Sequence, residues 1–137
     1  MRFMIIVKSN PEFEAEATPA PDPELLAEMA AFHEALAQAG ALLDGAGLKP
    51  SRSGWRIHHG AGAPRVVDGP FAESKELVAG YTLIQVRSRE EAMEWARRFP
   101  NPAGRGREAT IEVRELYEMD DFPPGEQTDR LREITAP

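Results

Sequence analysis

The chain has 137 residues, 42% hydrophobic and 28% charged, which suits one folded domain with a moderate core and excludes a disordered polymer. Its formal net charge of −7 disfavours a general nucleic-acid surface, whose affinity rests on Lys and Arg displacing counterions, and an anionic membrane surface for the same reason. The absence of cysteine excludes disulfides, thiolate zinc sites and a cysteine nucleophile, and fits a reducing compartment.

The chain opens on a bulky apolar run, RFMIIVK (2–8), which reads as a buried strand. The run is too short for a signal sequence or a spanning helix, so a cytoplasmic location is expected. Residues 9–23, SNPEFEAEATPAPDP, read as an acidic, exposed loop punctuated by proline. A helix follows, capped by Asp22, with Pro23 at its first position and Glu24 near the positive end of its dipole. Leu25, Met29, Phe32 and Leu36 form one face of it, and Gly40 ends it.

Asp44-Gly45 is a turn signal. GWRIHH (54–59) alternates Trp55 and Ile57 with Arg56 and His58 as a half-buried strand, GAGAP forms a hairpin loop, and Arg65 to Val67 returns. A charged connection carrying Asp68, Glu73, Lys75 and Glu76 leads into VAGYTLIQV (78–86), the strongest strand of the chain. Ser88 and Glu91 have capping-box spacing for a second helix, whose face is Ala92, Trp95, Ala96 and Phe99 and whose stop is Pro100. ATIEVREL (109–116) is the last strand, with Ile111 and Val113 on one face and Glu112 and Arg114 on the other.

This order predicts an α+β, ferredoxin-like βαββαβ domain with an inserted β-hairpin over residues 1–121, and a polar tail over 122–137, either frayed or docked on a neighbour. Two helices cover one face of such a sheet. The other face, part apolar and part charged, suits a homodimer that closes over a cavity.

The segments AGALLDGAGLKPS, VVDGPFAESKELVAGYTLIQVRSREEAMEWARRFP and IEVREL, in this order, resemble the YCII-related family over roughly residues 2–117, and within it the subgroup marked by Asp-Gly-Pro-Phe, here Asp68 to Phe71. The resemblance implies a dimeric α/β-barrel type of assembly with sheets packed face to face. It also implies an enzyme-like site built on a His-Asp pair, with hydrolase- or dehalogenase-type steps known in one related branch. An association with extracytoplasmic-function sigma factors is implied as well. A fold does not carry a reaction with it, so residues must be weighed one by one.

His33 lies about 60° from the centre of its helix's apolar stripe, on the shoulder, where an imidazole could serve as acid or base or simply pack at a boundary. Asp68 could orient that imidazole, or could bond backbone amides of the Gly69-Pro70 turn. Lys75 could bind an anionic substrate that Glu73 or Glu76 helps to hold, the alternative being a solvated loop with weak ion pairs. Arg114 could clamp an anion, or it and Glu112 could pair with residues of neighbouring strands. His58 and His59 point to opposite faces of a strand and cannot share a metal, so neither metal nor cofactor is expected.

Three functions stay open. One is acid–base chemistry on a small anionic or carbonyl compound, by His33 and Asp68 with Glu73, Lys75, Glu76 and Arg114 binding the substrate. A second is a non-catalytic module that senses a ligand or contacts a transcription factor, for which the resemblance implies a sigma factor. A third is an interaction protein whose charged connection and tail only build the dimer. Trp55, Trp95 and Phe99 read as core.

Overall fold

Two capped helices and an antiparallel sheet form the core, an α+β arrangement, in a computed structural model that describes residues 1–15 and 22–135. The elements are β1 (Arg2–Lys8), α1 (Pro11–Ala15), α2 (Pro23–Gln38), β2 (Leu42–Gly47), β3 (Trp55–His58), β4 (Arg65–Asp68), β5 (Val78–Gln85), α3 (Arg89–Arg97), β6 (Ile111–Glu115) and α4 (Glu126–Thr135). Single 3-10 turns occupy Ser51–Ser53, Ser74–Glu76 and Met119–Asp121.

The Asp22 carboxylate accepts from the Glu24 amide at 3.1 Å, and Gly40, at φ +72°, leaves α2 through the left-handed region open to glycine. At α3, the Ser88 hydroxyl accepts from the Glu91 amide at 3.1 Å, while the Glu91 carboxylate accepts from the Arg87 amide at 3.0 Å. The second bond is a capping box displaced by one residue.

The main sheet has the order β2-β5-β1-β6, with every neighbouring pair antiparallel. Each βαβ crossover therefore skips one strand, which is the connectivity of two interleaved split βαβ units. Phe3 and Ile5 of β1 and Ile84 of β5 point to the helix side, where they are buried with Phe32 and Leu36 of α2 and Ala92 of α3. The sheet is open at β2 and β6, so the single chain is not a closed barrel.

Four local readings are corrected. The Asp44-Gly45 turn signal falls inside β2, where pairing with β5 extends the chain and a bulge beside Leu42 absorbs the irregularity. Within the stretch expected as a loop, residues 11–15 form α1, because Asn10 Oδ1 accepts from the Phe13 amide at 2.8 Å; residues 16–21 lie outside the described residues. β3 and β4 pair only with each other, so the expected half-buried strand is exposed and Trp55, at 64% exposure, is not core. Trp95 and Phe99 do pack against the core.

The polar tail contains α4, with Leu131 and Ile134 exposed. Two apolar positions in ten residues are too few to draw it onto the core, whereas its good helix formers suffice for local structure. Among the described residues, no helix is long and apolar enough to cross a membrane.

Candidate functional site

His33 projects from α2 toward β5. Its Nδ1 lies 2.7 Å from the Met29 carbonyl oxygen, an acceptor only, so Nδ1 carries the proton and donates. Nε2 lies 2.8 Å from the Thr82 hydroxyl and makes the second hydrogen bond of the ring. Thr82 is 2% exposed, and its hydroxyl has its partner in this one imidazole. Phe32 and Phe99 meet the ring edge-on, with centroids 5.4 and 6.3 Å away. Nδ1 is thus engaged within α2 and Nε2 joins α2 to the sheet, and neither contacts Asp68.

Asp68 ends β4 opposite Trp55, in the separate two-stranded sheet. The expected Asp turn fails for a chemical reason: two residues on stands Pro70, which has no amide hydrogen. The next amide, Phe71, donates instead to Ser51 Oγ at 3.0 Å. That hydroxyl in turn donates to the Glu14 carboxylate, which also accepts from the Ser51 amide at 3.0 Å. Arg56 lies over the Phe71 ring, 3.7 Å from its centroid. Glu14, Ser51 and Phe71 therefore seat the Asp-Gly-Pro-Phe segment on α1 and the Ser51–Ser53 turn.

Beyond that segment, Glu73 precedes the Ser74–Glu76 turn, and its carbonyl accepts from the Glu76 amide at 2.9 Å. The side chains of Glu73 and Glu76 are exposed, and the Glu76 carbonyl lies 3.5 Å from Lys8 Nζ. Lys75 differs from both. It lines a cleft of about 450 Å³ between the end of β1, α1 and the loop before β6. Lys8, Arg107, Glu12, Glu108 and Ser9 share that cleft with it. Arg107 is ion-paired with Glu12, and Lys8 approaches Glu112 at 3.8 Å, whereas Lys75 has no carboxylate within 4.0 Å among the described residues. In a chain of net charge −7, three cations here outnumber two carboxylates.

Arg114 lies apart, on the sheet face away from the helices. It donates to Glu112 at 3.2 Å, a pairing along its own strand and not the expected one with a neighbouring strand. That face carries two rows across the strands: Asp44, Leu83, Met4 and Arg114, then Ala46, Tyr81, Ile6 and Glu112. The centre is apolar and half-exposed, and the charges sit at the edges. The Asp44 carboxylate accepts from the Tyr81 hydroxyl at 3.3 Å and holds that phenol above its ordinary range, first through its charge and then through the hydrogen bond.

The six residues singled out in the sequence thus fall in different places: His33 beneath the sheet, Asp68 on the hairpin, Glu73 and Glu76 on an exposed turn, Lys75 at the cleft and Arg114 on the open face. Sequence reasoning missed Lys8, Ser9 and Arg107, which reach the cleft from segments about a hundred residues apart and carry no shared motif. Among the described residues, no group of three or more His, Asp or Glu side chains is placed to hold a metal.

Comparison with known proteins gives two matches. The sequence model of the YCII-related domain matches residues 1–120. An uncharacterized protein of Rhizobium meliloti (strain 1021) is 36% identical over 80 residues, covering 58% of this chain and 64% of its own length.

Proposed function

This chain belongs to the YCII-related domain family, and from that premise we propose that it is a cytoplasmic homodimer that binds a small anionic or carbonyl-bearing molecule in the cleft at Lys75. The carrying observation is that cleft itself. A residue of the charged connection opens into it, and Lys75 arrives there with no carboxylate within 4.0 Å of its ammonium among the described residues. We place the chain in the Asp-Gly-Pro-Phe subgroup on Asp68 to Phe71, and read each protomer as ferredoxin-like.

The homodimer reading rests on the open sheet face. Met4, Ile6, Tyr81 and Leu83 form an apolar centre, with Asp44 at one edge and Arg114 at the other. A second copy laid over it about a two-fold axis buries both apolar centres. Leu83→Glu should therefore turn a dimer into a monomer in sedimentation equilibrium. A wild-type chain that sediments as a monomer at micromolar concentration sinks this part of the reading.

Ligand sensing is favoured over turnover. Acid–base work by His33 and Asp68 requires the His33–Thr82 hydrogen bond to open and a residue of α2 to meet one of the separate two-stranded sheet. The ligand reading is tested by a thermal-shift screen of small carboxylates and carbonyl compounds, with product formation followed by NMR. Stabilisation without chemical change is the expected result, and steady conversion of a probe would restore the enzyme reading. The sigma-factor link enters as a regulatory form of the same proposal, tested by whether ligand changes co-purification of such a factor.

A further inference from the structure

Resting on that ligand-binding reading, we propose that Ser9 and Lys75 form the seat of a carboxylate, and that the cleft takes a small monocarboxylate with an apolar body. Ser9 lines the cleft, is 6% exposed, and its hydroxyl has no hydrogen-bond partner among the described residues. Thr82, buried to a similar degree, has its partner in His33. A buried hydroxyl left unpaired is costly, so an acceptor entering the cleft recovers an interaction that the chain itself does not provide. The Ser9 backbone is pinned by its amide, which donates to the Leu77 carbonyl at 2.8 Å, so only rotation about Cα–Cβ is needed to aim the hydroxyl at a ligand.

Charge selects among acceptors. Arg107 is paired with Glu12 and Lys8 approaches Glu112 at 3.8 Å, so the cation left to a ligand is Lys75, which has no carboxylate within 4.0 Å among the described residues. One carboxylate matches that single ammonium. A phosphate monoester, near two negative charges, overshoots it and meets repulsion from the two Glu side chains. A neutral amide or alcohol leaves Lys75 uncompensated. Pro11, Ala103 and Ala109 supply apolar wall, and about 450 Å³ accommodates an aromatic or branched aliphatic body.

The test uses the full chain and three probes of one shape: benzoate, benzamide and phenyl phosphate, with affinity read by titration calorimetry. Benzoate should bind at least about tenfold more tightly than either of the others. Ser9→Ala should weaken benzoate about tenfold while leaving the ligand-free melting temperature unchanged or higher, because the hydroxyl has no partner to lose. Lys75→Gln should weaken benzoate by a similar factor and erase its advantage over benzamide. Benzoate binding untouched by both substitutions overturns the seat and leaves the ligand-binding reading standing. A lower melting temperature in Ser9→Ala with unchanged affinity also overturns it, by making the hydroxyl structural. Failure of all three probes to bind at millimolar concentration overturns seat and ligand-binding reading together.

Discussion

His33→Ala lowers the unfolding free energy by about 3 kcal/mol, measured by urea denaturation. Truncation removes two hydrogen bonds, to Met29 and Thr82, each contributing about 1 kcal/mol. It also leaves the Thr82 hydroxyl buried and unpaired, and opens space beside Phe32 and Phe99. A second variant separates the polar pair from packing. His33→Leu combined with Thr82→Val replaces both partners by apolar groups of related volume, and should recover much of what His33→Leu alone loses. A pure proton carrier at a cleft edge behaves differently: its removal abolishes turnover and barely shifts stability. A change within about 0.5 kcal/mol for His33→Ala rules out a structural role for this imidazole.

Gly69→Ala destabilises by about 3 kcal/mol, the upper end of overpacking costs, and frees the Asp-Gly-Pro-Phe segment from its seat. A Cβ at position 69 would lie 1.9 Å from the Ser51 carbonyl oxygen and 2.7 Å from its carbon. Both are backbone atoms, so no flexible side chain can swing away. The Gly69 amide donates to the Gly54 carbonyl at 3.0 Å and the Phe71 amide to Ser51 Oγ at 3.0 Å, so displacement breaks the contacts that join the segment to the turn at Ser51, which Glu14 ties to α1. Hydrogen exchange at the Phe71 amide should accelerate in the variant. Unchanged exchange together with wild-type stability would mean that the close approach at Gly69 does not exist. Glycine at this position thus answers a steric demand from a turn 18 residues earlier, Ser51.

The two core helices, α2 and α3, and the central strands were legible because their signals are local. Asp22 and Ser88 cap the helices that their spacing announces, and Phe3, Ile5 and Ile84 alternate as a one-sided sheet requires. Where long-range contacts decided, local signals misled. Asp44-Gly45 is a turn in isolation and a strand beside β5, since the ladder to Leu83 and Thr82 outweighs a weak local preference. Trp55 is core by residue type and exposed in fact, because β3 pairs with β4 alone. The charged connection looked like one functional unit. Folding divides it into a segment seated on Ser51, an exposed turn at Glu73 and Glu76, and a single residue, Lys75, that reaches the cleft.

By itself the amino-acid sequence determined the two core helices, the alternation of the central strands and the family, all of which are written in neighbouring residues or in segment order. Only the tertiary structure decided what each chemical group faces. His33 found Thr82 across 49 positions, and Ser9 and Lys75 came together at a cleft with Arg107, because strand pairing closes loops whose length no local pattern encodes. Hydrogen-bond partners and field are properties of that closure, and the chemistry of a site depends on both.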